Sequence, residues 1–276
     1  GGIAAMLTAI NKIIPRQYKI KIALGVDEEN ISEGATILNQ SDFLNDVVMV
    51  LVTETGMSDR INHQLVQQVF GRRGRASYDI TVLGKSAHGS TPNQGKNAIE
   101  GAARLILDLK KIKQVKNKFL GSSSFFVRDI SCQAGSLSIP EQTNLRLDWH
   151  IVPPQTRQLC LDQLKLFLKQ WGQLNDFKTK VRLTPRKTAY LNPYIMDQNN
   201  YWNNLATKCI NQVLGKNVTP IYGKSVADEN IFGQKFPVLV IGPVGGNIHA
   251  GNEWVAVDSL LMLEKILIKF FKQVFE

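Results

Sequence analysis

Apolar and polar residues follow two rhythms along the chain. Near its start Ile3, Met6, Leu7, Ile10, Ile13 and Ile14 recur at the three-and-four spacing that gathers apolar side chains on one stripe of a helix. Pro15, which has no amide hydrogen, stops that pattern. Residues 19–26 (KIKIALGV) and 46–52 (DVVMVLV) are short β-rich runs and predict two strands. Each leads to carboxylates, Asp27-Glu28-Glu29 after the first and Glu54 after the second. In open α/β sheets ligands gather at the C-terminal ends of strands, so acids placed there are functional candidates. From Gly74 the rhythm predicts strand 76–83, helix 96–112, strands 124–134 and 143–152, helix 156–171 and strand 177–184. Such a βαββαβ succession closes on itself as a ferredoxin-like layer of sheet and helices. A helix near 196–214, a strand 236–242 and a terminal helix from Ser259 then resume an α/β pattern. The expected fold is therefore α/β: one discontinuous domain, residues 1–73 and 185–276, carrying an inserted α+β domain, residues 74–184.

Composition narrows the function classes. The chain has 276 residues, 43% apolar and 20% charged, which suits a globular protein with a proper core and argues against extended disorder. Lys and Arg number 33 against 23 acids, a +10 balance that fits nucleic acid, an anionic membrane surface or an anionic small substrate. The densest clusters, Arg72-Arg73-Arg75 and the run Lys110, Lys111, Lys113, Lys116 and Lys118, have no RNA-type aromatic motif or finger spacing beside them. Both read as solvated faces, and neither nucleic acid nor membrane is expected as a partner. No apolar run approaches the ~20 residues of a membrane span. Cys132, Cys160 and Cys209 are odd in number and far apart, which fits neither a disulfide framework nor a zinc knuckle and predicts a reducing, cytoplasmic setting. The opening Gly1-Gly2-Ile3, with no initiator Met and no leader, carries the expectation that the natural start lies upstream.

Three places draw the chemistry. In Asp27-Glu28-Glu29, adjacent carboxylates repel one another unless a cation sits between them; a solvated acidic turn has the same sequence. His249 lies in Gly245 to Glu253, a glycine-rich loop after an apolar strand, where the backbone can approach a ligand; a hydrogen-bonded loop histidine would look alike. His88 lies in Gly84 to Pro92, the turn-rich link between the first strand and helix of the inserted domain, where an imidazole also serves as a cap or turn residue. His63 and His150 have no such context.

Taken together, Gly1 to Leu7, Asp27-Glu28-Glu29, the Glu54 strand end, Gly84 to Pro92 with Asn97-Ala98-Ile99, and His249 with Asn252-Glu253 stand in the order and spacing of one family. The chain resembles the dinuclear-zinc peptidases that include acetylornithine deacetylase, succinyl-diaminopimelate desuccinylase, glutamate carboxypeptidase and aminoacylase. Each motif alone is weak; five in order span the whole chain. The resemblance implies a zinc-peptidase-like catalytic domain with the βαββαβ unit as an inserted dimerisation domain, and hence a homodimer through residues 74–184. It implies a metal-dependent hydrolase of the amide bond in a small N-acyl amino acid, desuccinylase-like or deacetylase-like, with two zinc ions per subunit and cobalt or manganese as substitutes. Glu28 would be the general base, Glu29 and His249 ligands of one metal and Glu54 of the other. His88 would reach the partner subunit's active site and stabilise the oxyanion. Ser225, Asp228 and Asn230 resemble the substrate-side loop of the desuccinylase-like members.

The chain also departs from that family. An upstream histidine and a bridging aspartate that complete the metal sites are not in the given sequence, so one metal would keep Glu54 and the other Glu29 and His249. Zinc sites normally have three or more protein ligands, and the chain as given is expected to bind metal poorly and catalyse little. Leu137 stands where relatives carry asparagine before the Ile139-Pro140 pair, and His150 where they carry arginine. Both positions hold substrate in relatives, which opens the choice to another N-acyl amino acid, to a dipeptidase or carboxypeptidase, or to a catalytically silent homologue serving as a binding or dimerising scaffold. Arg146 and Lys224 are candidate replacement anion partners.

Overall fold

The computed structural model describes residues 1–14, 18–57, 65–133, 135 and 137–275. Pro15 and His63 lie outside the described residues. Two compact units emerge, one made of Gly1–Arg72, Tyr194–Gly223 and Ala227–Glu276, the other of Arg73–Pro193 with Lys224–Val226.

The first unit is built on a seven-stranded sheet centred on Val238–Gly246. Val50–Val52 pairs with it in parallel, Val50 opposite Val238 and Val52 opposite Val240. Val66–Arg72 pairs antiparallel on its other side and carries in turn Tyr194–Ile195 and Ile221–Gly223. The central strand is apolar from end to end because both of its faces are covered. Leu239 and Ile241 pack with Ala5, Ala9, Ala206, Leu263, Ile266 and Phe270 of three helices, Gly2–Ile10, Tyr201–Leu214 and Val257–Phe275. Val238 and Val240 face the opposite layer with Ala35, Leu44, Tyr194 and Phe232. The last helix is pinned to the central strand where Ser259 Oγ accepts the Val244 amide at 2.7 Å.

The second unit realises the βαββαβ pattern. Gly74–Leu83, Ser124–Cys132, Gln142–Ile151 and Lys178–Leu183 form an antiparallel sheet in which Gly74–Leu83 and Gln142–Ile151 are neighbours and the other two flank them. Helices Ala98–Leu109 and Arg157–Asn175 cover one face. Tyr78, Ile80, Val82, Leu145, Leu147 and Trp149 point into that layer, each 2% exposed or less, and each such burial contributes about 1.5–3 kcal/mol. Asp79 and Arg146 face away, paired at 3.0 Å. Tyr190–Leu191 bonds to Arg75 and Ala76, which keeps residues 185–193 with this unit.

The observed elements differ from the sequence pattern in places. Residues 19–26 form no strand among the described residues, and Ile22, Leu24 and Val26 are 44%, 67% and 70% exposed. Branched residues favour strands only where a partner strand supplies a ladder, and among the described residues no strand pairs with this stretch. Of residues 46–52 only the last three join the sheet. The helix Glu33–Gln40 and the buried strand Val66–Arg72 had no clear signal, the latter because Gln67 and Gln68 interrupt its apolar run.

The tightest point in the first unit is Gly242. A Cβ there would lie 1.4 Å from the Glu54 carbonyl oxygen. Backbone cannot yield as a flexible side chain does, so Gly242→Ala should lower unfolding free energy by about 2–4 kcal/mol in denaturant titration. An unchanged midpoint would contradict this close approach.

Candidate active site

Two parallel strands end side by side and deliver two of the candidate residues. Glu54 follows Val50–Val52, and His249 follows Val238–Gly246, its parallel neighbour. Gly56–Met57 then pairs with Val244 and Gly245, holding the Glu54 segment against the central strand. His249 sits in a loop with three non-glycine residues in the left-handed region: Asn247 at φ 57°, His249 at φ 63° and Asn252 at φ 60°. Asparagine tolerates that conformation, histidine less so, and such local strain tends to gather at functional sites. Asn247 Nδ2 closes the loop on the Asn252 carbonyl at 3.1 Å.

Glu28 and Glu29 come from a turn that Asp27 builds. Asp27 adopts φ 67°, its carbonyl accepts the Ser32 amide at 2.8 Å, and its Oδ2 receives the Ile31 and Glu33 amides at 3.3 and 3.4 Å. The first acid of the triplet therefore spends its charge on the backbone. The next two are left to project, Glu28 half-buried and Glu29 exposed. Glu29 Oε2 lies 3.6 Å from His249 Nε2, bringing residues 220 positions apart into one ion pair whenever the ring is charged.

Electrostatics mark Glu28. Burial, with Glu54, Asp228, Glu29 and Glu229 nearby, pushes its carboxyl up to about 7 from an ordinary 4.5. Glu54 is also raised, by desolvation of its carboxylate first and then by Glu229, with Arg72 pulling the other way. Asp228 is raised by burial, opposed by a hydrogen bond from Ser32. Its Oδ1 is buried with no hydrogen-bond partner among the described residues. Asn230 is buried, and its Oδ1 accepts the Ala227 amide at 3.0 Å, so this side chain helps shape the loop. Ser225 is exposed and lies in the short Lys224–Val226 stretch of the second unit.

Beneath this cluster lies a pair that reading the sequence missed. Arg72 and Glu229 form a buried ion pair through Nε and Oε1, their side chains 10% and 1% exposed. Arg73 is buried too, donating to the Leu120 carbonyl at 3.0 Å and to Ser124 Oγ at 3.2 Å. The arginine cluster is thus not a solvated face at these two positions. The available signal was a cation closing a mostly apolar strand, with Glu229 in the Asp228–Asn230 loop as its remote counterpart.

In the second unit His88 is exposed, its Nδ1 against Ser90. Leu137 adopts φ 60° and is 77% exposed. His150 stacks on Phe126 with centroids 6.3 Å apart, its pKa lowered by burial. Arg146 is engaged by Asp79, which removes it as an uncommitted anion partner.

The donor chemistry around Glu28 fits a divalent cation. Carboxylates and an imidazole approach one another, burial and then neighbouring carboxylates raise two glutamates, and Asp228 presents an orphaned buried oxygen. Among the described residues no group of three or more His, Cys, Asp or Glu is placed to hold a metal ion, so the donor set fits in kind and falls short in number. No helix among them is long and apolar enough to cross a membrane.

Residues 70–172 match a peptidase dimerisation domain. The chain is 25% identical over 282 residues to succinyl-diaminopimelate desuccinylase of Shewanella pealeana, covering 95% of this chain and 68% of that protein. The Buchnera aphidicola enzyme of the same name is 23% identical, with 99% and 72% covered. Among solved structures, a Staphylococcus aureus tripeptidase superposes with TM-score 0.68 at 18% identity, over 87% of this chain and 60% of that one. Aminopeptidase PepT of Bacillus cereus gives 0.64 at 12% identity, over 89% and 62%. The chain thus spans about three fifths of these solved structures and shares their fold, with the match to a peptidase dimerisation domain falling on the inserted unit.

Because the folded Glu28 carboxyl is raised, the folded state holds an extra proton between about 4.5 and about 7, and stability falls as pH rises through that window. Glu28→Gln should therefore match the parent protein near pH 4.5 and exceed it by about 1–2 kcal/mol above pH 7, a range reduced for solvent screening. Chemical denaturation at both pH values reads this; an equal difference at each would refute the raised carboxyl.

Proposed function

We propose that the chain is a member of the metallopeptidase family that includes the desuccinylases, as the match to a peptidase dimerisation domain and the likeness to desuccinylases support, and that it forms the reaction centre of a metal-dependent hydrolase acting on the amide bond of an N-acyl amino acid. The observation that carries this reading is Glu28, a carboxyl at about 7 at a turn where Glu29 and His249 meet. Glu29 and His249 would hold one metal ion and Glu54 the other, with zinc the expected metal. Bound zinc supplies Lewis acidity, polarising the scissile carbonyl and easing deprotonation of water.

The chain's own residues then divide the work. Glu28, poised near neutrality, takes the proton of the attacking water and returns it to the departing nitrogen, so the products are a carboxylate and an amine. His88 offers an imidazole N–H to the oxyanion of the tetrahedral intermediate from the partner subunit of a homodimer built through residues 74–184. By the family resemblance, Asp228 and Ser225 would bind substrate. Asn230 shapes that loop from within. The likeness to desuccinylases favours an anionic acyl amino acid such as N-succinyl-diaminopimelate, and the two peptidase folds keep a short peptide as the alternative.

A second reading has its own observation. Leu137 holds a left-handed backbone that costs a leucine about 1 kcal/mol or more, and it presents an apolar side chain to solvent. A silent, dimerising homologue would tolerate such a residue beside the His88 loop. The chain as given, with an incomplete donor set, is expected to hold zinc weakly.

The deciding experiment is hydrolysis of N-succinyl-diaminopimelate, N-acetylornithine and a tripeptide panel by the full-length gene product, with metal content measured alongside. We expect about two zinc ions per subunit, and kcat lowered about 10²–10⁴-fold in Glu28→Gln. A full-length protein that binds no metal and cleaves none of the panel would establish the silent reading. Light scattering of the chain should give a dimer mass, and a monomer at high concentration would remove His88 from action in trans.

A further inference from the structure

His88 is held by more than its place in the chain. Ser90 Oγ lies 2.7 Å from His88 Nδ1, and the Ser90 amide nitrogen lies 3.1 Å from the same atom. A backbone N–H can only donate, so Nδ1 must present its lone pair. In the neutral ring the single proton then sits on Nε2. The Ser90 hydroxyl, facing a nitrogen that already accepts, donates as well. Neighbouring backbone is fixed on both sides: the Thr91 amide bonds the His88 carbonyl at 2.9 Å, the Gly89 amide bonds Leu137 at 2.7 Å, and the Ile139 amide bonds Ala87 at 2.8 Å. Ring orientation and proton position are thereby set within the loop, with nothing else in contact required to set them.

We propose that Ser90 is a positioning residue that locks His88 in the Nε2–H form, aiming one N–H outward as a ready donor. The inference rests on the reading of His88 as an oxyanion donor for its meaning, but its geometry stands apart from any activity. A donor toward developing negative charge is useful in proportion to how little it must reorganise. A ring free to exchange tautomers would spend part of its time presenting a lone pair to that charge. Ser90 removes that state.

The test is long-range ¹H–¹⁵N NMR of the chain carrying ¹⁵N-histidine at pH 8, above the ordinary imidazole range of ~6.5. With four histidines in the chain, the His88 signals are assigned by their loss in His88→Gln. The expected result is a protonated Nε2 and an unprotonated, hydrogen-bonded Nδ1. Ser90→Ala should shift the tautomer ratio roughly fivefold toward Nδ1–H, the effect of losing one hydrogen bond, and Ser90→Thr should restore it. His150, in the sheet of the same unit, reports whether the fold persists in each variant. A protonated Nδ1 in the parent chain, which needs no variant, would overturn the proposal, as would an unchanged ratio in a folded Ser90→Ala. If hydrolysis fails while the tautomer is locked, the proposed function falls and this inference stands; an unlocked ring in an active enzyme gives the reverse.

Discussion

A guanidinium almost wholly removed from water is tolerable only against a partner, and the Arg72–Glu229 pair meets that condition under a crowd of carboxylates. Burial lowers the tendency of Arg72 to stay charged, while Glu229, Tyr194 and Glu54 raise it, and the net effect is upward. Buried ion pairs add little net stability compared with apolar packing, so the value of this one lies in what surrounds it. It ties the end of the strand Val66–Arg72 to the loop that carries Asp228, and it places one fixed positive charge beside Glu54. Without it Glu28, Glu29, Glu54, Asp228 and Glu229 would face one another with only partial relief. Glu28 holds its proton near neutrality first because it is half-buried, and the neighbouring carboxylates Glu54, Asp228, Glu29 and Glu229 add to that effect.

Local periodicity carried much of the fold. The βαββαβ unit could be read because each of its elements has a clean rhythm and all of them lie in one continuous stretch of chain; Tyr78, Ile80 and Val82 alternate in plain sight. The first unit was harder, since its strands pair with residues far away. Val50–Val52 becomes a strand because Val238–Val240 lies beside it, and 19–26, with an equally suitable composition, does not. Propensity describes a willingness to pair, and the partner decides.

The candidate site was legible in its actors and illegible in its supports. Glu28, Glu29, Glu54 and His249 stood out as acids and an imidazole after apolar runs; in the fold Glu54 and His249 follow two paired strands, Glu29 lies 3.6 Å from His249, and Glu28 is a charge neighbour of Glu29 and Glu54. Arg72 did not, because an arginine's burial depends on a glutamate 157 positions later. Asp27 looked equivalent to its two neighbours until its carboxylate was found on the Ile31 and Glu33 amides. The serine two residues after His88 carried no signal of its own; only the folded loop turns it toward the ring.

The stretch 19–26 leaves a further mark on how such a chain behaves. It presents Ile22, Leu24 and Val26 to water, and none of these residues belongs to a strand ladder. Backbone groups outside a ladder are open to pairing with another chain segment. The last residue of the stretch, Val26, accepts the Gly34 amide through its carbonyl, so the run is tied to the helix that follows the turn bearing Glu28. A backbone that paired along these residues would thus brace that turn from its open side.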